Sequence, residues 1–202
     1  MAEAATLLRA IERQLPGIVA TTGSGDWFLF YDPDGTTAPD QRFPFCTLVT
    51  GDRYDAASRL DRDPATYRVN LGLGRHRYEE LLGPAPRQAA GHGVLDAGFD
   101  YTATDTVLPH PFYASMHWVC VVNPGERTRA TLAGLIDEAH SVARGRYDHR
   151  QSRPDYAPES GRAATTTVAP NASDRATNEA NPWWVNASMA YGACRSLVST
   201  ST

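Results

Sequence analysis

The sequence predicts an α+β fold: an antiparallel sheet packed by N-terminal and C-terminal helices over residues 1–148, then a low-complexity, disordered tail over 149–202. Three observations carry this. Near each end of the first 148 residues, apolar side chains recur at helical spacing. Between those two stretches lie short runs rich in Val, Phe, Trp, Tyr and Thr, bounded by Pro, Gly, Asn and Asp. From Gln151 to Ala180 large apolar residues almost vanish, so that segment cannot bury enough surface to offset its ordering entropy. Trp183, Trp184 and the stretch from Met189 to Val198 are more apolar but lack a clear period.

Residues 3–16 read as an amphipathic helix, with Leu7, Leu8, Ile11 and Leu15 on one face and Arg9, Glu12 and Arg13 on the other. Pro16 and Gly17 end it. Residues 18–21 form a short strand before a flexible Gly23-Ser24-Gly25. Trp27 to Tyr31 is the next strand, closed by the turn chemistry of Asp32-Pro33-Asp34-Gly35. Phe43 to Thr50 is another β-rich run, and an antiparallel hairpin is its economical connection to the run before it.

Ala56 to Leu60 spans one or two helical turns. Tyr67 to Leu73 shows the cleanest alternation in the chain: Tyr67, Val69, Leu71 and Leu73 face one way, Arg68 and Asn70 the other. Arg75 to Leu82 is a short helix stopped by Gly83-Pro84, and residues 84–100 are a Gly-, Ala- and Pro-rich surface loop. Pro109 and Pro111 stiffen the approach to a strand over Met116 to Val122, which is apolar on both alternating faces and so suits burial on both sides. Asn123-Pro124-Gly125-Glu126 reads as a helix N-terminus with a capping residue, Pro at N1 and an acid at N3. The helix behind it carries Leu132, Leu135, Ile136, Ala139 and Val142 to about Arg146.

Composition narrows the chemistry. The net charge of −4 and the absence of any Lys weigh against nucleic acid or anionic membrane as a partner, and exclude Schiff-base mechanisms. Cys46, Cys120 and Cys194 are widely spaced and form no CxxC, which argues against a disulfide framework and a metal site. Buried free thiols and the lack of a leader-like N-terminus or an apolar span point to a reduced cytoplasm. No cofactor motif appears: GxSxG, Walker A and HExxH are all missing. The Gly72-Leu73-Gly74-Arg75 turn lacks the third glycine of a dinucleotide fingerprint.

The candidate site residues are His110, Tyr113, His117, Arg68, Asn70 and Trp27. His110, Tyr113 and His117 could line one pocket, with either histidine as a general base. Alternatively, His110 is an exposed loop residue and His117 a hydrogen-bonded one at a strand end, and residue types alone favour this plainer account. Arg68 offers a planar donor fork and Asn70 an amide for an anionic or amide-bearing ligand. A half-exposed sheet face would equally need polar residues there. Trp27, beside a Gly-rich loop, is either core or a stacking surface. The scattered acids Asp61, Asp63, Asp96, Asp100 and Asp105 read as solvated loop residues.

Taken in order, Asp26 to Gly35, Pro44 to Thr50, Tyr67 to Arg75, Leu108 to Tyr113 with Trp118, and Asn123 to Thr128 resemble an uncharacterised bacterial domain-of-unknown-function family common in actinobacteria. The likeness covers roughly residues 5–147. More distantly, the layout and the His117-Trp118 pair are similar to the MmcQ/YjbR-like proteins. That resemblance implies an α+β fold, and some of those proteins are proposed to bind DNA. The leading expectation is a module that binds a small molecule or a partner without catalysis of its own. The alternatives are a small hydrolase or transferase using His110 or His117, and a nucleic-acid-binding domain. The sequence does not give the oligomeric state.

Overall fold

The computed structural model of the chain describes residues 2–38, 41–87, 93–95 and 98–152. The tail expected over 149–202 lies, from residue 153 onward, outside the described residues, as do Asp96 and Cys194. The chain divides into two units, Met1–Gly35 with Pro44–Tyr156, and Thr36–Phe43 with Ala157–Thr202. In the described part of the second unit, Gln41 N–H donates to the Ala38 carbonyl at 2.9 Å and Arg42 Nε donates to that of Thr37 at 3.0 Å.

The first unit is an α+β fold, as expected. Its helices are α1 (Ala2–Gln14), α2 (Arg75–Leu82) and α3 (Arg129–Gln151). Its strands are β1 (Ile18–Gly23), β2 (Asp26–Tyr31), β3 (Cys46–Val49), β4 (Arg68–Gly72), β5 (Leu108–Pro109) and β6 (Trp118–Val122). They form one six-stranded sheet in the order β1-β2-β3-β4-β6-β5, with every neighbouring pair antiparallel.

All three helices contribute to one apolar core against one face of this sheet. Leu29, Cys46, Leu48, Val69, Leu71, Val119 and Val121 point into that core and meet Ala4 and Ile11 of α1, Tyr78 of α2, and Leu132, Leu135, Ile136 and Ala139 of α3. Fully burying each large aliphatic side chain contributes about 1.5–3 kcal/mol. His140 ties α3 to the end of α1: its Nε2 lies 2.8 Å from the Pro16 carbonyl, and its ring meets Tyr31 and Phe45 edge-on.

Several local expectations are corrected. Gly23-Ser24-Gly25 is no flexible spacer; Ser24 and Gly25 adopt φ of 55° and 90°, the left-handed pair of a two-residue hairpin turn whose twist matches its strands. The expected strand over Met116 to Val122 starts only at Trp118, because Ala114–Met116 forms a 3-10 turn ended by His117 at φ 64°. Between Asp55 and Asp63 the only helical segment is the 3-10 turn Leu60–Arg62.

The entry to α3 also differs. Asn123 does not cap it; the Asn123 side-chain oxygen instead accepts from Tyr67 N–H at 2.9 Å, extending the β4–β6 pairing. The helix begins six residues later, and the residue that holds its entrance is Asp105, which the sequence places in a solvated loop. One Asp105 oxygen accepts from Gly125 N–H (2.7 Å), Thr128 N–H (3.0 Å) and the Thr128 hydroxyl (2.6 Å); the other accepts from Arg127 N–H (3.0 Å). These hydrogen bonds, led by that of Thr128, hold the Asp105 carboxyl far below the usual carboxylate range. Gly125 is required here, since a Cβ would sit 2.8 Å from an Asp105 oxygen.

Candidate functional site

The sheet face opposite the helices carries polar chemistry. Two small apolar clusters, Val49–Leu60–Val122 with Tyr54, and Tyr101–Leu108–Cys120 with Ala57, Leu95 and Ala103, flank the positions of Arg68 and Asn70. The alternation of β4 places both residues on this face, as expected, but the face is not half-exposed. Arg68 is 2% exposed and Asn70 1%. The segment between β3 and β4 folds down over Arg68 and carries the groups that satisfy it.

Asp55 supplies those groups. Its two oxygens accept from the two terminal nitrogens of Arg68, at 3.0 and 2.6 Å, and the Ser58 hydroxyl accepts from one of them at 2.9 Å. Burial works against both charges, but each partner outweighs it for the other: Asp55 is held below its ordinary pKa and Arg68 above its own. The Asn70 amide nitrogen donates to the Thr47 hydroxyl directly across the strand pair, at 2.9 Å.

Two atoms of this arrangement are left over. Arg68 Nε and Asn70 Oδ1 are both buried without a hydrogen-bond partner. Each such atom costs about 1–3 kcal/mol when it stays unpaired.

His110 completes the group. It is 4% exposed rather than an exposed loop residue, because Pro109 is the last residue of β5 and His110 N–H donates to the Trp118 carbonyl at 2.9 Å. Its Nδ1 accepts from Phe112 N–H (3.1 Å) and Tyr113 N–H (3.3 Å), so the ring proton resides on Nε2. Burial and then the Arg68 charge push its pKa down to about 3, Asp55 offsetting part of this. Its ring contacts those of Tyr113 (4.9 Å between centroids) and Trp118 (6.2 Å). Burial and the nearby Asp55 carboxylate push the Tyr113 hydroxyl up to about 12. The Cys120 thiol, paired in register with Asn70, is likewise pushed up to about 12 by burial, so it is inert as a nucleophile.

The structure therefore places Arg68 and Asn70 on one face of β4, with His110 and Tyr113 close enough to Arg68 and Asp55 to feel their charges, and separates the other two candidates from them. His117 lies against Tyr78 of α2, 5.7 Å between centroids, and feels the charges of Arg75 and Glu79. Trp27 points to the helical side, where it packs on the main core, so it is no stacking surface of this site. Asp55, Ser58 and Thr47 are missed by sequence reasoning. Asp55 is one of several loop acids and no spacing rule links it to a residue 13 positions on. Thr47 did leave a signal, a lone polar residue facing Asn70 in otherwise apolar strands. Gly72-Leu73-Gly74-Arg75 joins an antiparallel strand to α2, and the reason for Gly72 is steric: a Cβ there would sit 2.9 Å from the Trp118 indole.

Among the described residues no group of three or more His, Cys, Asp or Glu side chains could hold a metal ion, and no helix is long and apolar enough to cross a membrane.

Fold and site together define a small α+β domain with helices on one side of its sheet and a buried, neutralised ion pair on the other. The chain belongs to the DUF6194 family, a family of unknown function, which it matches over residues 2–152, as far as the end of α3. No curated protein and no solved structure matches it.

Proposed function

We propose that this protein is a binding module without catalysis of its own, and that its site is the helix-free face of the sheet around Arg68, Asn70, His110 and Tyr113. The observation that carries this reading is the state of His110. With both backbone N–H groups donating to Nδ1 and the proton fixed on Nε2, the ring is a neutral donor and offers no lone pair to take a proton. His117, packed against Tyr78, stands apart from these groups. Both observations favour binding over a hydrolase or transferase built on His110.

The likeness in layout to the MmcQ/YjbR-like proteins raises a nucleic-acid reading, against which the net charge of −4 and the neutralised Arg68 both weigh. The buried free thiols Cys46 and Cys120 accord with a reducing compartment, and we place the protein in the cytoplasm on that ground.

The test is a thermal-shift screen of small molecules on the full chain, followed by ¹H–¹⁵N spectra with each hit. Perturbations centred on Asn70, His110 and Tyr113 are expected. A complete screen in which every hit moves only helix-side residues, or in which nothing binds, would remove the proposal.

A further inference from the structure

We infer that the ligand of this face is uncharged and presents a hydrogen-bond acceptor beside a donor, as the carboxamide edge of an aromatic amide does. The inference rests on the binding reading above and names its ligand class.

The argument begins with charge. Arg68 is the only cation in the group, and both of its terminal nitrogens are engaged by the Asp55 carboxylate. His110 is neutral, so Arg68 and Asp55 cancel, and the further charged groups that act on Arg68, Asp26 and Asp52, are acids that oppose an anion still more. An anion entering here would meet Asp55 without a free cation, and a cation would meet Arg68. In buried surroundings either contact is strongly unfavourable. An uncharged ligand meets neither penalty.

The unused hydrogen-bonding capacity then sets the pattern. Arg68 Nε–H is a buried donor and Asn70 Oδ1 a buried acceptor, both without a partner. They belong to residues two apart on one face of β4, which a strand spaces by roughly 6–7 Å. A carboxamide carries the two complementary roles, its carbonyl able to accept from Arg68 Nε–H and its N–H to donate to Asn70 Oδ1. A carboxylate, which only accepts, could take up the Arg68 N–H but would leave the Asn70 oxygen without a donor.

The surroundings favour a flat apolar body on that amide. Tyr113 lies against His110, and Tyr54 meets Phe28 edge-on at 6.2 Å on the same side of the sheet. Tyr54 and Tyr113 are half-buried, so the aromatic rim reaches solvent where the polar centre does not.

Three benzene derivatives separate the elements of this inference: benzamide, N,N-dimethylbenzamide and benzoate. Each is titrated into the ¹⁵N-labelled full chain while the Arg68 Nε–Hε and Asn70 side-chain amide signals are followed. Benzamide should shift both signals and bind about tenfold more tightly than either of the others. Equal or tighter binding of benzoate at these signals would overturn the charge argument while leaving the binding reading intact. Equal binding of the dimethyl amide would overturn the role of Asn70 as acceptor. An Arg68 Hε that exchanges magnetisation with an internal water and is moved by no probe would overturn the inference. If, in addition, no compound of the wider screen moves Asn70, His110 or Tyr113, the binding reading falls with it.

Discussion

Replacing Asp55 by Ala should cost this domain far more than the loss of a surface ion pair. The Asp55 carboxylate engages Arg68 at 3.0 and 2.6 Å, and the two side chains are only 5% and 2% exposed, so solvent does not screen the contact. Without Asp55, the guanidinium stays buried with the Ser58 hydroxyl as its one remaining side-chain partner. Breaking a buried pair by removing one member typically costs about 3–5 kcal/mol. For a chain of this length each kcal/mol moves the melting temperature by about 2–4 °C, giving a fall of roughly 6–20 °C.

The companion variant separates pairing from packing. Replacing the pair by apolar groups of similar volume, Arg68→Met with Asp55→Leu, removes both charges and should lie within about 1–2 kcal/mol of the wild type. The double variant is thus expected to be more stable than Asp55→Ala, a non-additivity that urea and thermal melts of the set would measure. A single-variant cost below about 1 kcal/mol would mean that Arg68 is solvated as a surface residue is, and would refute the reasoning. So would a double variant no more stable than Asp55→Ala.

Four further outcomes follow from the same structure. Asp55 has a depressed folded pKa, so the stability its ionisation confers is present above the unfolded value near 3.9 and is lost as pH falls through the folded one; below about pH 4 the wild type should therefore lose stability that the Arg68→Met, Asp55→Leu variant keeps, and acid melts of the two should diverge in favour of the variant. His110 also has a lowered folded pKa, but it is a base: the unfolded chain takes up a proton near 6.5 that the folded ring refuses until about 3, so stability falls as pH drops across that window. Imidazole ¹⁵N spectra should show His110 as the neutral Nε2–H tautomer at pH 5, and protonation near 6.5 would contradict the burial argument. Gly72→Ala would push a methyl to within 2.9 Å of the Trp118 indole and should cost about 1–3 kcal/mol with a changed tryptophan near-ultraviolet circular dichroism. Asp105→Ala should leave most of α3 intact but speed amide exchange at Gly125, Arg127 and Thr128, the three N–H groups it holds; unchanged exchange there would show that another group caps this entrance.

How much of this was legible in the sequence depended on which face of the sheet a residue serves. Val69 and Leu71 announce their side by alternation, and Leu132, Leu135, Ile136 and Ala139 by helical spacing, because burial there is a matter of volume and period. The polar residues Arg68 and Asn70 obeyed the same alternation, so their face was readable too. Their burial was not. Whether Arg68 is solvated or sunk depends on Asp55, which arrives from a loop whose path no periodicity encodes. Asp105 was misread for the same reason: its role is set by four hydrogen bonds to a segment some 20 residues away in sequence. His110 was recognised from the stiffness of its two prolines, but its neutral state rests on backbone N–H groups of Phe112 and Tyr113 turning back onto the ring.

The two faces thus answer to different physics, and this explains why the candidate site lies where it does. On the helical face, any well-packed set of apolar side chains of the right volume would serve, and a substitution there is felt mainly as a cavity or a clash. On the opposite face, the sheet buries a guanidinium, a carboxylate, an amide and an imidazole, whose hydrogen bonds must be found one by one. A buried ion pair is poor value as a source of stability compared with apolar side chains of equal size. Packing alone would therefore favour Met and Leu at positions 68 and 55. An imidazole locked in one tautomer, and a donor and an acceptor left unpaired two residues apart, are further departures from what a core needs. Such departures raise the free energy of the fold, and under the proposed binding a ligand completing these hydrogen bonds would lower it; the face that packs least economically is the one where binding would have most to gain.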